Sequence, residues 1–175
     1  MIIQPWNKLS ESEEQIGWRK ILRRSFSLPT GEPGEFCVFG GLDSVSIFPV
    51  TTDNQIVLVR QFRPGPEKML VELPAGGLMK LEIPIEGARR ELLEETGYEG
   101  EIKHIATTFT GAYTTEQRFI FVATNCVKIA EPTPDEYEFL ETVLMDIEEF
   151  KCHLRTGQLS NSETGWFALD YLKML

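Results

Sequence analysis

Between Gly76 and Tyr98 the chain reads GGLMKLEIPIEGARRELLEETGY, and no other stretch limits the fold as strongly. Pro84 suits the first turn of a helix, where its missing N–H costs no hydrogen bond. Gly97 stands where a helix C-terminus wants a left-handed residue. A helix over 84–96 is therefore expected. At about 100° per residue, Ile85, Ala88, Leu92 and Thr96 share an apolar arc, and Glu91, Glu94 and Glu95 share another. Carboxylates at i, i+3 and i+4 repel by about 0.2–0.5 kcal/mol per pair even in water. A helix gains nothing from this unless a cation sits among them. Hard oxygen donors of this kind suit Mg²⁺, whose remaining positions go to water and substrate phosphate. Taken alone, such an arc is more often a solvated acidic helix face.

The rest of the chain alternates strand and helix signals. Trp18–Leu28 and Glu35–Phe39 flank the turn TGEPGE and read as a hairpin. Asp43–Val50 and Ile56–Phe62 are β-branched runs around a polar turn, a second hairpin. Short strands are expected at Leu70–Leu73, Ile102–Thr110, Gln117–Cys126 and Leu140–Met145, and a helix at Ile147–Thr156. Ser160 and Glu163 have capping-box spacing before a last helix that runs to about Leu172. The expected class is α/β, a mixed sheet with helices on both faces, preceded by a small antiparallel sheet. The division expected is 1–42 as an N-terminal β arm and 43–175 as the main domain.

Charge narrows the functional classes. With 17 basic and 27 acidic residues the formal net charge is −10, which argues against nucleic acid and anionic membrane as partners. A phosphate-bearing substrate would need a cation between it and so acidic a protein, and a divalent metal is the usual one. Cys37, Cys126 and Cys152 show no metal-ligand spacing and read as reduced thiols. His104 and His153 have no metal partner at suitable spacing. No apolar run is long enough to span a bilayer, and the first residues lack a signal peptide's basic and apolar regions. A cytoplasmic protein is expected.

The spacing within 76–98 goes beyond a generic acidic helix. Gly76, Glu82, Arg90, Glu91, Glu94, Glu95 and Gly97 fill every fixed position of G-x5-E-x7-R-E-U-x-E-E-x-G-U, with U bulky and apolar; Leu92 fills the first U, and Tyr98 fills the second imperfectly. Seven such matches arise by chance on the order of once in 10⁸ to 10⁹ starting points. This pattern is the Nudix box, so the chain resembles the Nudix hydrolases. VLVRQFRPG before the box, LPAGG at its start and DEYEF after it are similar to the ADP-ribose and nucleoside-diphosphate-sugar pyrophosphatase branch.

The resemblance implies an α/β/α sandwich and hydrolysis of the diphosphate bond in a nucleoside diphosphate sugar such as ADP-ribose. The products would be a nucleoside monophosphate and a sugar phosphate. It implies Mg²⁺, with Mn²⁺ as an alternative, held by Glu91, Glu95, Glu94 and the carbonyl of Ala75. Arg90 would pair with a box glutamate such as Glu82 and hold the loop on the helix. The general base would be Glu136, with Glu138 second. Arg63 would contact phosphate or the terminal sugar, and Trp6, like Trp18 in the N-terminal arm, could stack on the base. That arm would also carry homodimerisation. The branch's Pro-Gly pair after the box is here Thr110-Gly111, so the preferred sugar nucleotide stays open. Two alternatives remain: a Nudix hydrolase of nucleoside triphosphates, dinucleoside polyphosphates or coenzyme A, and a nucleotide-binding regulator without catalysis.

Overall fold

A computed structural model describes residues 4–17 and 19–175; Trp18 lies outside the described residues. The chain forms two compact units. One holds residues up to Leu42 with Phe109–Gln117, the other Asp43–Thr108 with Arg118–Leu175.

In the first unit β1 (Asn7–Ile16), β2 (Arg19–Ser27) and β3 (Pro33–Gly40) form an antiparallel sheet in that order. Strand β1 was absent from the sequence expectation because NKLSESEEQI has no apolar alternation, and all ten residues are exposed. It is held by its backbone ladder with β2, with cross-strand charge pairs alongside. Arg24 donates from Nε to Glu11 at 2.6 Å, Arg23 meets Glu14 at 3.2 Å, and Lys20 meets Glu13 at 2.9 Å. Exposed pairs of this kind add little stability, so the ladder carries most of the pairing. Trp6, Phe26 and Phe36 pack together, and Tyr113 stacks on Phe36. Tyr113 is held there by backbone bonds, Phe39 N–H to its carbonyl and Thr115 N–H to the Phe39 carbonyl.

The second unit is a layered sandwich around one mixed sheet. Its strands are β4 (Ser44–Thr51), β5 (Ile56–Arg63), β6 (Lys68–Glu72), β7 (Ala75–Gly77), β8 (Tyr98–Phe109), β9 (Gln117–Lys128) and β10 (Leu140–Met145). The order is β10-β5-β4-β9-β8, with β6 beside β5 and β7 beside β4. Strand β4 runs parallel to β9 and antiparallel to β5 and β7. The helices are α1 (Pro84–Thr96), α2 (Ile147–Arg155) and α3 (Ser162–Tyr171).

Alternation along β4 divides the core, because successive side chains face opposite sides of a sheet. Val45 and Ile47 pack with Phe121 and with Ala88 and Leu92 of α1. Phe48 and Val50 pack with Phe150 and Leu154 of α2 and Leu169 of α3. Each such fully buried side chain contributes about 1.5–3 kcal/mol. The apolar arc of α1 is thereby committed to the sheet, and Glu91 and Glu95 are buried beside it while Glu94 is half-buried.

Two helix ends differ in how they are set. The C-terminus of α1 stops at Gly97, left-handed with φ 75°, whose N–H donates to Leu93 O. The Gly97 carbonyl accepts from Ile129 and Ala130, and Thr133 N–H donates to Glu94 O. The segment after β9 is thus fastened to the acidic end of α1. The capping box expected at Ser160 and Glu163 does not form. The N-cap of α3 is Asn161, with no side-chain cap. Buried partners outcompete the local cap: Asn161 Nδ2 donates to Ser46 Oγ at 2.8 Å and Leu73 O at 3.0 Å, and Glu163 pairs with Arg118.

Replacing Gly97 with Ala should destabilise the protein by at least about 1–2 kcal/mol, the cost of a left-handed non-glycine residue. A Cβ there would also strike the Ala130 carbonyl. Urea unfolding monitored by circular dichroism checks this; an unchanged midpoint would contradict it.

Candidate active site

The site grows from Arg90, on α1. Its guanidinium grips Glu82 with two bonds, Nε to Oε1 at 2.9 Å and Nη2 to Oε2 at 3.0 Å. Nη2 also donates to Gly77 O at 3.0 Å, and Nη1 donates to Glu91 at 2.7 Å and Glu94 at 3.0 Å. Glu82 accepts Met79 N–H at 2.8 Å. One cation therefore folds the loop 77–83 back onto the helix. The bond from Arg90 holds the Glu82 carboxyl below its usual range, and Glu82 in turn raises the Arg90 guanidinium well above its own.

Glu91 and Glu95, one turn apart, are 7% and 2% exposed. Glu95 Oε2 accepts the Ala75 N–H at 2.9 Å, which ties α1 to β7. Gly76 lies so close to Glu91 that a Cβ would overlap its carboxyl group; the glycine is needed for this approach. Burial raises the Glu91 carboxyl despite the bond from Arg90. Burial pushes Glu95 up to about 8, offset only in part by the Ala75 N–H.

Two further residues reach this pair. The Glu138 carboxylate raises both Glu91 and Glu95, and Arg63 at the end of β5 lowers Glu95. Glu138 is half-buried, whereas Glu136 is exposed. Among the described residues no hydrogen bond or ion pair joins Glu136 to the cluster. Trp6 lies in the first unit, in the aromatic group with Phe26 and Phe36.

Glu82, Glu91 and Glu94 thus gather on Arg90, with Glu95 beside them and Glu138 and Arg63 within electrostatic range. Burial is the main cause of both raised carboxyls, and a cation beside them would favour their charged forms. Among the described residues no group of three or more His, Cys, Asp or Glu side chains is placed to hold a metal ion. The Glu91 and Glu95 pair still offers the one or two carboxylates through which Mg²⁺ is commonly held, its other positions going to water and phosphate. A divalent metal therefore fits the residues present.

A Nudix-domain profile matches residues 42–164. The chain belongs to the Nudix family. It is 30% identical over 169 residues to an ADP-ribose pyrophosphatase of Bacillus subtilis (strain 168), covering 93% of this chain and 91% of that one. It is 32% identical over 150 residues to a methanol dehydrogenase activator of Bacillus methanolicus, covering 84% and 80%. An ADP-sugar pyrophosphatase of Mus musculus is 38% identical over 112 residues, 56% of this chain and 51% of that one. The fold matches a solved structure described as an ADP compounds hydrolase, at TM-score 0.81 over the whole of both chains and 18% identity. This Nudix chain is a pyrophosphohydrolase, similar to proteins named as ADP-ribose pyrophosphatases, and the Nudix sandwich is the fold expected from its sequence.

One residue beside the candidate site was not singled out from the sequence. Glu72 is wholly buried, pairs with Arg63 and accepts the Ser160 N–H. Its signal was a glutamate inside an otherwise apolar strand, Met69-Leu70-Val71-Glu72-Leu73. A charge there demands buried partners.

The raised Glu95 value fixes a pH dependence. Its folded pKa of about 8 stands above the usual 4.5. The stability it gives is complete below about 4.5 and lost as pH rises through about 8. In chelator, the melting temperature of Glu95→Gln should therefore gain on the parent between pH 5 and 8, read by differential scanning fluorimetry. Added divalent metal should narrow that gap by stabilising only the parent.

Proposed function

We propose that this enzyme hydrolyses the diphosphate bond of a nucleoside diphosphate sugar such as ADP-ribose, with Mg²⁺ or Mn²⁺, giving a nucleoside monophosphate and a sugar phosphate. The observation that carries this is the buried pair Glu91 and Glu95, under-compensated in charge and flanked by Arg63 and Glu138. The similarity to pyrophosphatases named for ADP-ribose and ADP-sugars supports the substrate class.

A diphosphate resists hydrolysis because its own negative charge repels a nucleophile. Glu91, Glu95 and the Ala75 carbonyl, with Glu94 beside them, would hold the metal, which supplies charge neutralisation and Lewis acidity at phosphorus. Arg90 fixes the rotamers of Glu91 and Glu94, so these donors need not reorganise on binding. Arg63 binds a phosphate oxygen through its planar fork. A loop glutamate takes the proton from the attacking water. Proximity to the buried pair favours Glu138 for this role over the exposed Glu136. Trp6 as a base-stacking residue and the N-terminal sheet as a homodimer contact belong to the same proposal. Among the described residues no helix is long and apolar enough to cross a membrane; a cytoplasmic location also remains part of the proposal.

Turnover on ADP-ribose, ADP-glucose, GDP-mannose, UDP-glucose, nucleoside triphosphates, diadenosine polyphosphates and coenzyme A, with Mg²⁺ and with chelator, tests this reading. Metal-dependent cleavage of one sugar nucleotide above the rest is the expected result; no turnover with Mg²⁺ or Mn²⁺ would overturn it. Glu95→Gln should lose about 10²–10³-fold in kcat. Glu138→Gln should lose about 10²-fold or more, and Glu136→Gln should stay near the parent rate.

A further inference from the structure

Arg63 is the phosphate-binding cation of the functional reading above, and its aim depends on what holds it. It donates from Nε to Glu72 Oε2 at 2.5 Å. Its two terminal nitrogens have no acceptor among the described residues, which leaves the fork open for a phosphate. The guanidinium also lies near enough to Glu95 to lower that carboxyl.

Glu72 is an unusual partner for a residue at a strand end. An arginine that needed only a surface counter-charge could take any exposed acid, at little gain in stability. Glu72 is instead 0% exposed, and a buried carboxylate is tolerated only with its hydrogen bonds made. Both of its oxygens are engaged. Oε2 takes Arg63, and Oε1 takes the backbone N–H of Ser160 at 2.9 Å. That backbone has little freedom, because Asn161 is pinned to Ser46 and to the Leu73 carbonyl. The carboxylate thus cannot rotate without losing a bond to main chain.

We propose that Glu72 is a positioning residue that aims Arg63 at the substrate diphosphate, with the Ser160 backbone as its anchor. This rests on the functional reading above. Glu72 touches neither substrate nor reacting atoms, so its loss acts through Arg63 on binding.

Glu72→Gln keeps the size of the side chain, but its amide can serve Ser160 only by turning an NH₂ group toward Arg63, donor against donor. Kinetics on ADP-ribose with Mg²⁺ would be measured for the parent, Glu72→Gln, Arg63→Ala and the double variant. The expected result is a KM raised about tenfold or more by Glu72→Gln with kcat within about threefold, the pattern of lost uniform binding. In the Arg63→Ala background the same change should move KM by less than about twofold, because the two residues act as one unit. A Glu72 that served only folding would lower the melting temperature and cut activity by the same factor in both backgrounds; that result, or an unchanged KM, overturns the proposal. If Glu72→Gln does not fold, Glu72→Asp replaces it: the charge is kept but the shorter arm reaches only one partner, and the same KM pattern is required. A parent enzyme that cleaves no nucleoside diphosphate sugar overturns the functional reading and this proposal together. An active parent with an unchanged KM in the Glu72 variant overturns this proposal alone.

Discussion

The grip of Arg90 on Glu82 holds the loop before α1 against the helix. Four of its bonds end on carboxylates and one on the Gly77 carbonyl. Glu82 lies on the loop and Glu91 and Glu94 on the helix, so a single guanidinium fixes the loop on the helix and the rotamers of two acidic side chains. Planarity and five fixed donors make arginine suited to this, and a lysine in its place would supply charge without orientation. Charge-assisted bonds of this type are about twice as strong as neutral ones, and they hold acids in place that would otherwise repel one another. The cluster is therefore pre-formed before any ion or substrate arrives.

The sheet supplies what the box cannot. Apolar alternation in β4 sends Val45 and Ile47 toward α1, and Phe48 and Val50 toward α2 and α3. A rigid layer thus lies behind the acidic face. The close approach of Gly76 to Glu91, and the Ala75 N–H on Glu95, exist because β7 is paired to β4 at Ser46↔Ala75 and Val45↔Gly76. Register in the sheet is converted into position in the site.

Much of this was legible in the sequence, and what was not has physical reasons. The α1 boundaries follow from Pro84 and Gly97, whose backbone preferences are local. Core strands such as β4 and β5 announce themselves by β-branched runs. Strand β1 could not, since its polar residues are ordered by partners in β2 rather than by burial. The false capping box at Ser160 shows the converse: local spacing was right, but Asn161 found buried partners 88 and 115 residues away, which no window on sequence can weigh. In the candidate site, the clustering of acids on α1 was visible from spacing. The difference in exposure between Glu136 and Glu138 was not, because it depends on how the loop that carries both is fastened. Glu72 was hidden for a similar reason, as its meaning depends on Arg63 and Ser160 together.

That fastening carries a consequence for how such a chain can vary. Gly97 closes α1 with its N–H and receives Ile129 and Ala130 on its carbonyl. The thirty or so residues between leave and return at one point, like a loop of rope cinched at its neck. Changes of length inside that loop need not be transmitted past the cinch, because the exit of the chain is set by the helix end rather than by the path taken to reach it. Such a knot lets a lineage insert, shorten or redecorate the excursion between β8 and β9 while the glutamate-bearing segment beyond it keeps its distance from the acids of α1.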